Sequence, residues 1–256
     1  MLKVITVMSA VGGAGATTIA AHLSAALTMR QHAVLAVDCC PENRLRLHFG
    51  MSLRDDTGWA TSLLAGTSWH ESAYRSSNGI DFLPFGEMRH DAQLDELIKL
   101  LRIQPNWFRS EMAQVRFPPE SVIICDCPRL PAVFREQLLP ASDLVLMVTS
   151  SDSVSYSIAS RIADGAENNS CPQTLMVLNG FDPTRQLDRD IALLLRTRHR
   201  KSFVRVKIHR DESLREALAC KQTVFDFAPS SQATHDFSSL ASAVLGHLGA
   251  SVEHAS

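Results

Sequence analysis

Gly12, Gly13 and Gly15, followed by Thr17 and Thr18, have the spacing of a loop that captures a phosphate chain. Glycines let backbone N–H groups close around an anion, and a helix starting at the threonines adds its positive dipole end. A threonine hydroxyl is a ligand for Mg²⁺. In the usual loop of this kind a lysine stands directly before the first threonine and reaches the β- and γ-phosphates, but here that position is Ala16. The neutral parts of the cradle, Gly12 through Thr18 with Ala14 between the glycines, are complete. The loop's charge is missing, which predicts a nucleotide site that hydrolyses poorly.

Two carboxylates agree with this loop. Asp38, in Ala36-Val37-Asp38-Cys39-Cys40-Pro41, and Asp126, in Ile123-Ile124-Cys125-Asp126-Cys127-Pro128, each end an apolar β-branched run. In an open parallel sheet ligands bind at the carboxyl ends of the strands, so both aspartates are expected to face a nucleotide and its metal. An aspartate in such a place can also simply cap the following turn. The glycine loop favours the metal reading. Asn179, in Val177-Leu178-Asn179-Gly180, ends another run with an amide able to read an adenine edge, or merely forms a turn.

The elements that must position these residues follow from periodicity. Val4–Met8, Ala33–Val37, Ile80–Pro84, Val122–Cys125, Leu144–Thr149 and Leu175–Leu178 read as strands. Helices are expected over Thr18–Met29 and over residues 57–65, 91–102, 153–163 and 187–199. Short apolar runs alternating with longer amphipathic ones predict an α/β fold, a doubly wound and mostly parallel sheet with helices on both faces. Pro105, Trp107, Pro118 and Pro119 interrupt the helical period, so residues 103–120 are expected to be an irregular connection.

Composition limits the function classes. The 256 residues are 45% hydrophobic and 20% charged, with a formal net charge of −2, and no repeat or low-complexity linker divides them, so one domain over 1–256 is expected. No apolar run reaches the roughly 18 residues of a membrane span, and Met1-Leu2-Lys3 runs into a strand without the pattern of a signal peptide. A cytoplasmic protein is expected. Cys39, Cys40, Cys125, Cys127, Cys171 and Cys220 lack paired CxxC spacing and read as reduced core thiols. Trp59 and Trp69 read as core or interface residues, the ten histidines show no metal-ligand spacing, and the amphipathic stretch Phe237–Leu248, which has no Lys or Arg, reads as a packed terminal helix.

The strings Gly12-Gly13-Ala14-Gly15-Ala16-Thr17-Thr18, Asp38-Cys39-Cys40-Pro41, Asp126-Cys127-Pro128 and Ile208-His209-Arg210-Asp211-Glu212-Ser213-Leu214 fall in the order and spacing of the MinD/ParA group of deviant P-loop ATPases, over nearly the whole chain. Within that group the chain is most similar to the BcsQ (YhjQ) proteins of bacterial cellulose-synthesis operons, which it resembles also at Arg44-Leu45-Arg46-Leu47, Gly58-Trp59-Ala60 and Leu83-Pro84-Phe85-Gly86. The resemblance implies ATP or ADP with Mg²⁺ as cofactors. It implies that Gly12, Gly13, Gly15 and the following amides wrap the phosphates, that Thr17 ligates Mg²⁺ and that Thr18 bonds the α-phosphate. Asp126 would be the outer carboxylate of the metal, with Asp38 beside it, and Asn179, His209, Arg210 and Asp211 join the nucleotide-binding set. The same resemblance assigns Cys40 to the place of the acid that positions the attacking water, and Val11 to that of a lysine reaching the partner's nucleotide. Three charged positions have thus become Val11, Ala16 and Cys40. A thiol is a poor substitute for a carboxylate in that task at neutral pH.

Three functions are implied. The first is a nucleotide-held homodimer, meeting through its nucleotide face, that docks to other cellulose-synthesis subunits (a small BcsR-type partner and a BcsE-type protein) and through them to the membrane synthase. The second is a working ATPase switch in which Arg44, Arg46, Arg185 or Arg210 replaces the lost cations. The third is a DNA-riding positioning protein, drawn from the run Arg196-Thr197-Arg198-His199-Arg200-Lys201 with Arg205, Lys207 and Arg210. That run reads better as a solvated helix end whose cations suit the C-terminal dipole, and no sequence-specific nucleic acid is expected.

Overall fold

The computed structural model describes residues 2–166 and 172–253. Its strands are β1 (Lys3–Ser9), β2 (Val34–Asp38), β3 (Tyr74–Arg75), β4 (Asp81–Leu83), β5 (Val122–Asp126), β6 (Leu144–Ser150), β7 (Gln173–Phe181) and β8 (Phe203–His209). They form one sheet in the order β3-β4-β2-β5-β1-β6-β7-β8, parallel throughout except for the antiparallel pair β3–β4. The helices are α1 (Ala16–Met29), α2 (Leu45–His48), α3 (Trp59–Leu64), α4 (Asp91–Ile103), α5 (Trp107–Gln114), α6 (Ala132–Leu138), α7 (Ser153–Ala166), α8 (Gln186–Arg198), α9 (Ser213–Ala219), α10 (Val224–Phe227) and α11 (Gln232–Glu253).

The central strands are apolar almost without interruption because helices cover both faces. Ile5, Val7, Ile124, Leu146 and Val177 point to one side, where they pack on Ile19, Leu23 and Leu27 of α1 and on Phe237, Leu240 and Val244 of α11. Val4, Met8, Ile123, Met147 and Met176 point to the other, against Trp59, Leu97, Leu101, Trp107, Phe134, Ile191 and Leu195. Each such side chain contributes roughly 1.5–3 kcal/mol on full burial. With both faces of β1 and β5 filled in this way, a slip of one residue would exchange the two cores, so the register that places Val7 opposite Asp126 is tightly held.

The six expected strands and five expected helices are present, and the C-terminal stretch is a helix packed on β8 and α1. Two expectations need correction. Residues 103–120 are not irregular throughout, because Trp107–Gln114 forms α5 and buries Trp107, Phe108 and Met112. Pro105 precedes this helix and Pro118 follows it, so the prolines bound the helix rather than break it. Cys220 is not a core thiol. It is exposed at the end of α9, whereas Cys39, Cys40, Cys125 and Cys127 are buried and free, and Cys171 lies outside the described residues. Trp59 and Trp69 are buried, and no helix among the described residues is long and apolar enough to cross a membrane.

Candidate functional site

The carboxyl ends of β1, β2 and β5 open into a cavity of about 470 Å³, lined by Gly12, Gly13 and Gly15 of the loop after β1 and by Ala16, Thr17 and Thr18 at the start of α1. Gly13 (φ +79°) and Gly15 (φ +93°) hold left-handed backbone that a side chain would strain. A Cβ on Gly15 would also stand 2.3 Å from Nδ2 of Asn179, which donates to the Ala14 carbonyl at 2.7 Å. Asn179 therefore locks the loop to the end of β7. Helix α1 starts at Ala16 with no side-chain cap and no acidic residue in its first turn, so its leading N–H groups and dipole are left for whatever fills the cavity.

Asp126 is fully buried at the cavity floor, and neither carboxylate oxygen has a hydrogen-bond partner of good geometry. Burial raises its pKa to about 6, against the opposing pull of the nearby Thr17 hydroxyl and Cys40 thiol. A buried, unsatisfied carboxylate is costly to the fold, so its retention calls for a cation. Asp38 behaves differently. Its Oδ1 accepts the Cys40 amide and its Oδ2 the Leu45 amide, both at 2.9 Å, and the Trp59 indole N–H donates to its backbone carbonyl at 2.7 Å. Its carboxylate thus builds the turn after β2 and does not line the cavity, although it lies with Cys40 and Asp126 in a group whose ligand atoms fall within 4.8 Å of one another. Burial and the neighbouring Asp126 raise its pKa as well.

Cys40 lines the cavity, and its thiol donates to the backbone carbonyl of Asp126 at 3.7 Å. Burial, with Asp126 and Asp38 nearby, pushes the thiol pKa far upward, so the group stays neutral and cannot take a proton from water. Among the arginines considered as substitute cations, Arg44 lines the cavity. Arg46 is committed elsewhere, to Glu87 at 2.9 Å and to the carbonyls of Asp55 and Asn43. Arg185 pairs with Asp182. Arg210 lies outside the cavity, as do His209 and Asp211. His209 Nδ1 meets Asp236 at 2.8 Å, and Asp211 accepts the amides of Ser213 and Ala233, so these residues fasten the end of β8 to α11.

Several cavity residues were not foreseen: Ser9, Glu42, His48, Arg129 and Leu130. Arg129 is exposed and three residues beyond Asp126, so its place at the carboxyl edge of β5 follows from that of the aspartate. His48 is reached through a buried pair. His22 accepts the Val224 amide at Nε2 (3.1 Å), which leaves the proton on Nδ1 for the Thr18 carbonyl (2.8 Å), and its ring lies 5.3 Å from that of His48. Burial lowers the two pKa values to about 4 and about 3, so both rings are neutral.

The sequence model of the family described as "Cellulose biosynthesis protein BcsQ" matches residues 2–245. The cellulose biosynthesis protein BcsQ of Escherichia coli K12 is 31% identical over 234 residues, covering 90% of this chain and 89% of that one. The fold matches the septum site-determining protein MinD of Pyrococcus horikoshii, solved in complex with Mg-ADP, with a TM-score of 0.75 at 19% identity over 95% of this chain and 96% of that one. It also matches cobyrinic acid a,c-diamide synthase of Mycobacterium smegmatis, solved with a bound ATP analogue and magnesium, with a TM-score of 0.74 at 19% identity over 97% and 96%. These structures share the architecture of the sheet and its helices, and the sequence match gives the narrower assignment: the chain belongs to the BcsQ family of cellulose biosynthesis proteins.

Proposed function

We propose that this chain is, over its whole length, a nucleotide-binding accessory unit of bacterial cellulose synthesis that acts as a nucleotide-held dimer with little or no hydrolysis. The observation that carries the reading is Asp126, a buried carboxylate with no well-formed hydrogen bond among the described residues, on the floor of a cavity that also receives the glycine loop and an uncapped helix start. Gly12, Gly13 and Gly15 would cradle the phosphates of ATP or ADP. Thr17 and Asp126 would hold Mg²⁺, with Asp38 shaping the turn beside it, and Thr18 would bond the α-phosphate. The end of β7 at Asn179 and the segment His209–Asp211 at the end of β8, though outside the cavity lining, would border the base. Bound Mg²⁺ supplies the charge that Asp126 lacks a partner for. The exposed Arg44 and Arg129, which line the cavity, would balance part of the nucleotide's charge without making the contact missing at Ala16. Two copies would meet at the carboxyl edge of the sheet, and other cellulose-synthesis subunits, of the BcsR and BcsE types, would dock on the dimer and link it to the inner-membrane synthase from the cytoplasmic side.

Low turnover follows from Cys40, a neutral thiol where a base would be needed, and from Ala16 and Val11 in place of cations. A second reading, an active MinD/ParA-type switch, draws support from Arg44 and Arg129 in the cavity, since a positioned arginine can stabilise a transferring phosphoryl group. Calorimetric titration with Mg-ATP and a phosphate-release assay separate the two. Binding with turnover near background is expected. The missing lysine contact is expected to weaken binding by about 1.5–3 kcal/mol, not to abolish it. Absence of a binding signal would refute the nucleotide site, and robust turnover that falls with Arg44→Ala or Arg129→Ala would favour the switch.

A further inference from the structure

A second groove lies away from the nucleotide cavity, between α8 and the last strand of the sheet. It measures about 710 Å³. Its floor is apolar, made by Phe181, Ala192, Leu193 and Phe203. Its polar lining is Thr197 and five cations: Arg189, Arg196 and Arg200 on or just after α8, and Arg205 and Lys207 on β8. Among the described residues, no acidic side chain lines it. The nearby arginines that do reach carboxylates, Arg185, Arg198 and Arg215, lie outside the groove. Lys207 instead stands 5.0 Å above the Phe181 ring.

We propose that this groove is a docking site for an acidic, amphipathic segment of a partner protein, laid in extended form along β8. Five cations close together repel one another, and that repulsion is relieved when carboxylates arrive. Arg205 and Lys207 alone could serve only to keep an open sheet edge from pairing, since charged side chains commonly do this. Arg189, Arg196 and Arg200 stand on the helix side and have no such task. The apolar floor selects a peptide over nucleic acid. Leu193 is 53% exposed, with Leu187 and Leu194 also exposed on the same helix, and apolar side chains of a peptide would cover such surface. Phe181 and Phe203 are 6% and 8% exposed, so their rings offer no open face on which a base could stack. Among the described residues strand β8 pairs with β7 alone, which leaves its outer edge available for main-chain hydrogen bonds to an added strand. None of these residues lines the nucleotide cavity, so the proposal stands apart from the nucleotide reading.

Fluorescence anisotropy with a labelled peptide of alternating Glu and Leu tests it, beside a polyglutamate of equal charge, a duplex DNA and anionic vesicles. The Glu–Leu peptide is expected to bind the full-length protein, more weakly as salt rises, and at least roughly ten-fold more tightly than polyglutamate. Arg196→Glu with Arg205→Glu should weaken it by roughly ten-fold or more, and so should Leu193→Asp. If the first pair does not melt as the wild type does, Arg200→Glu with Lys207→Glu replaces it, both side chains being on the surface rim. Unchanged binding in folded variants would overturn the proposal. So would equal binding of polyglutamate, or tighter binding of DNA or vesicles than of the peptide.

Discussion

Replacing Asp126 with asparagine is expected to stabilise the ligand-free protein while weakening its response to Mg-ATP. The carboxyl is fully buried with no hydrogen-bond partner of good geometry, and its pKa rises from the usual 3.8 to about 6. About two pH units at 1.36 kcal/mol each give a penalty of about 3 kcal/mol for the ionised form at neutral pH. The amide in the variant is still poorly paired, which returns about 1–2 kcal/mol, so a net gain of about 1–2 kcal/mol is expected at pH 7.5. The sign reverses the usual carboxylate behaviour. The folded wild type takes up a proton before the unfolded chain does, so its penalty shrinks as pH falls from about 6 and is gone below about 3.8. Urea unfolding of both proteins, at pH 7.5 and again near pH 4.5, measures the gap and its narrowing. Shifts common to both proteins, such as those of the buried histidines, cancel in the difference. Adding Mg-ATP should then raise the midpoint of the wild type more than that of the variant. A variant that is less stable than wild type at pH 7.5, or a gap constant with pH, would refute the claim that Asp126 is a carboxylate held in wait of a cation.

Other expectations follow from neighbouring residues. His22 and His48 are buried neutral, with pKa values lowered to about 4 and about 3; the unfolded chain therefore binds their protons first, and their contribution to stability should fall as pH drops from about 6.5 to about 4 for His22 and to about 3 for His48. His22→Phe, which keeps the ring stacked on Phe237 but unpairs the Val224 amide and the Thr18 carbonyl, should cost about 1–3 kcal/mol at pH 7.5 and reduce that slope in a pH series of thermal melts. Gly15→Ala meets both the left-handed backbone and the Asn179 amide, and should lower stability by about 1 kcal/mol or more and abolish Mg-ATP binding in calorimetry. Cys40→Asp should leave phosphate release near background, because Ala16 still lacks a charge, and any gain should need Ala16→Lys as well.

Much of the arrangement was readable from residue types. Val4-Ile5-Thr6-Val7 leading into Gly12-Gly13 can hardly be other than a strand and a loop, and Asp126 ends a run too apolar to lie anywhere but in the sheet centre. The losses have separate physical causes. Helix α5 was hidden by Pro105 and Pro118, whose effect depends on whether they stand inside a helix or at its ends. Strand β8 is masked by charge: Val204, Val206 and Ile208 alternate with Arg205 and Lys207 as an edge strand should, but the cations continue the basic run that begins at Arg196. Asp38 and Asp126 look alike in sequence. Only the backbone path shows that one is satisfied by two amides and the other by none. Arg129 carries no signature of its own, and becomes visible once the end of β5 is placed.

The central claim, that a nucleotide joins two copies through the glycine-loop face, is tested most directly by light scattering of the purified protein with and without Mg-ATP, alongside Gly12→Arg. A Cβ at Gly12 meets no atom within 4 Å and its backbone is not left-handed, so the variant should fold as the wild type does while placing a bulky cation where phosphate must approach. The account predicts a mass near twice the chain's 28.2 kDa for wild type with Mg-ATP, a lower mass without it, and no nucleotide-dependent increase for the variant. A wild type whose mass does not respond to Mg-ATP, or a Gly12→Arg protein that fails to bind nucleotide and still dimerises, would contradict it.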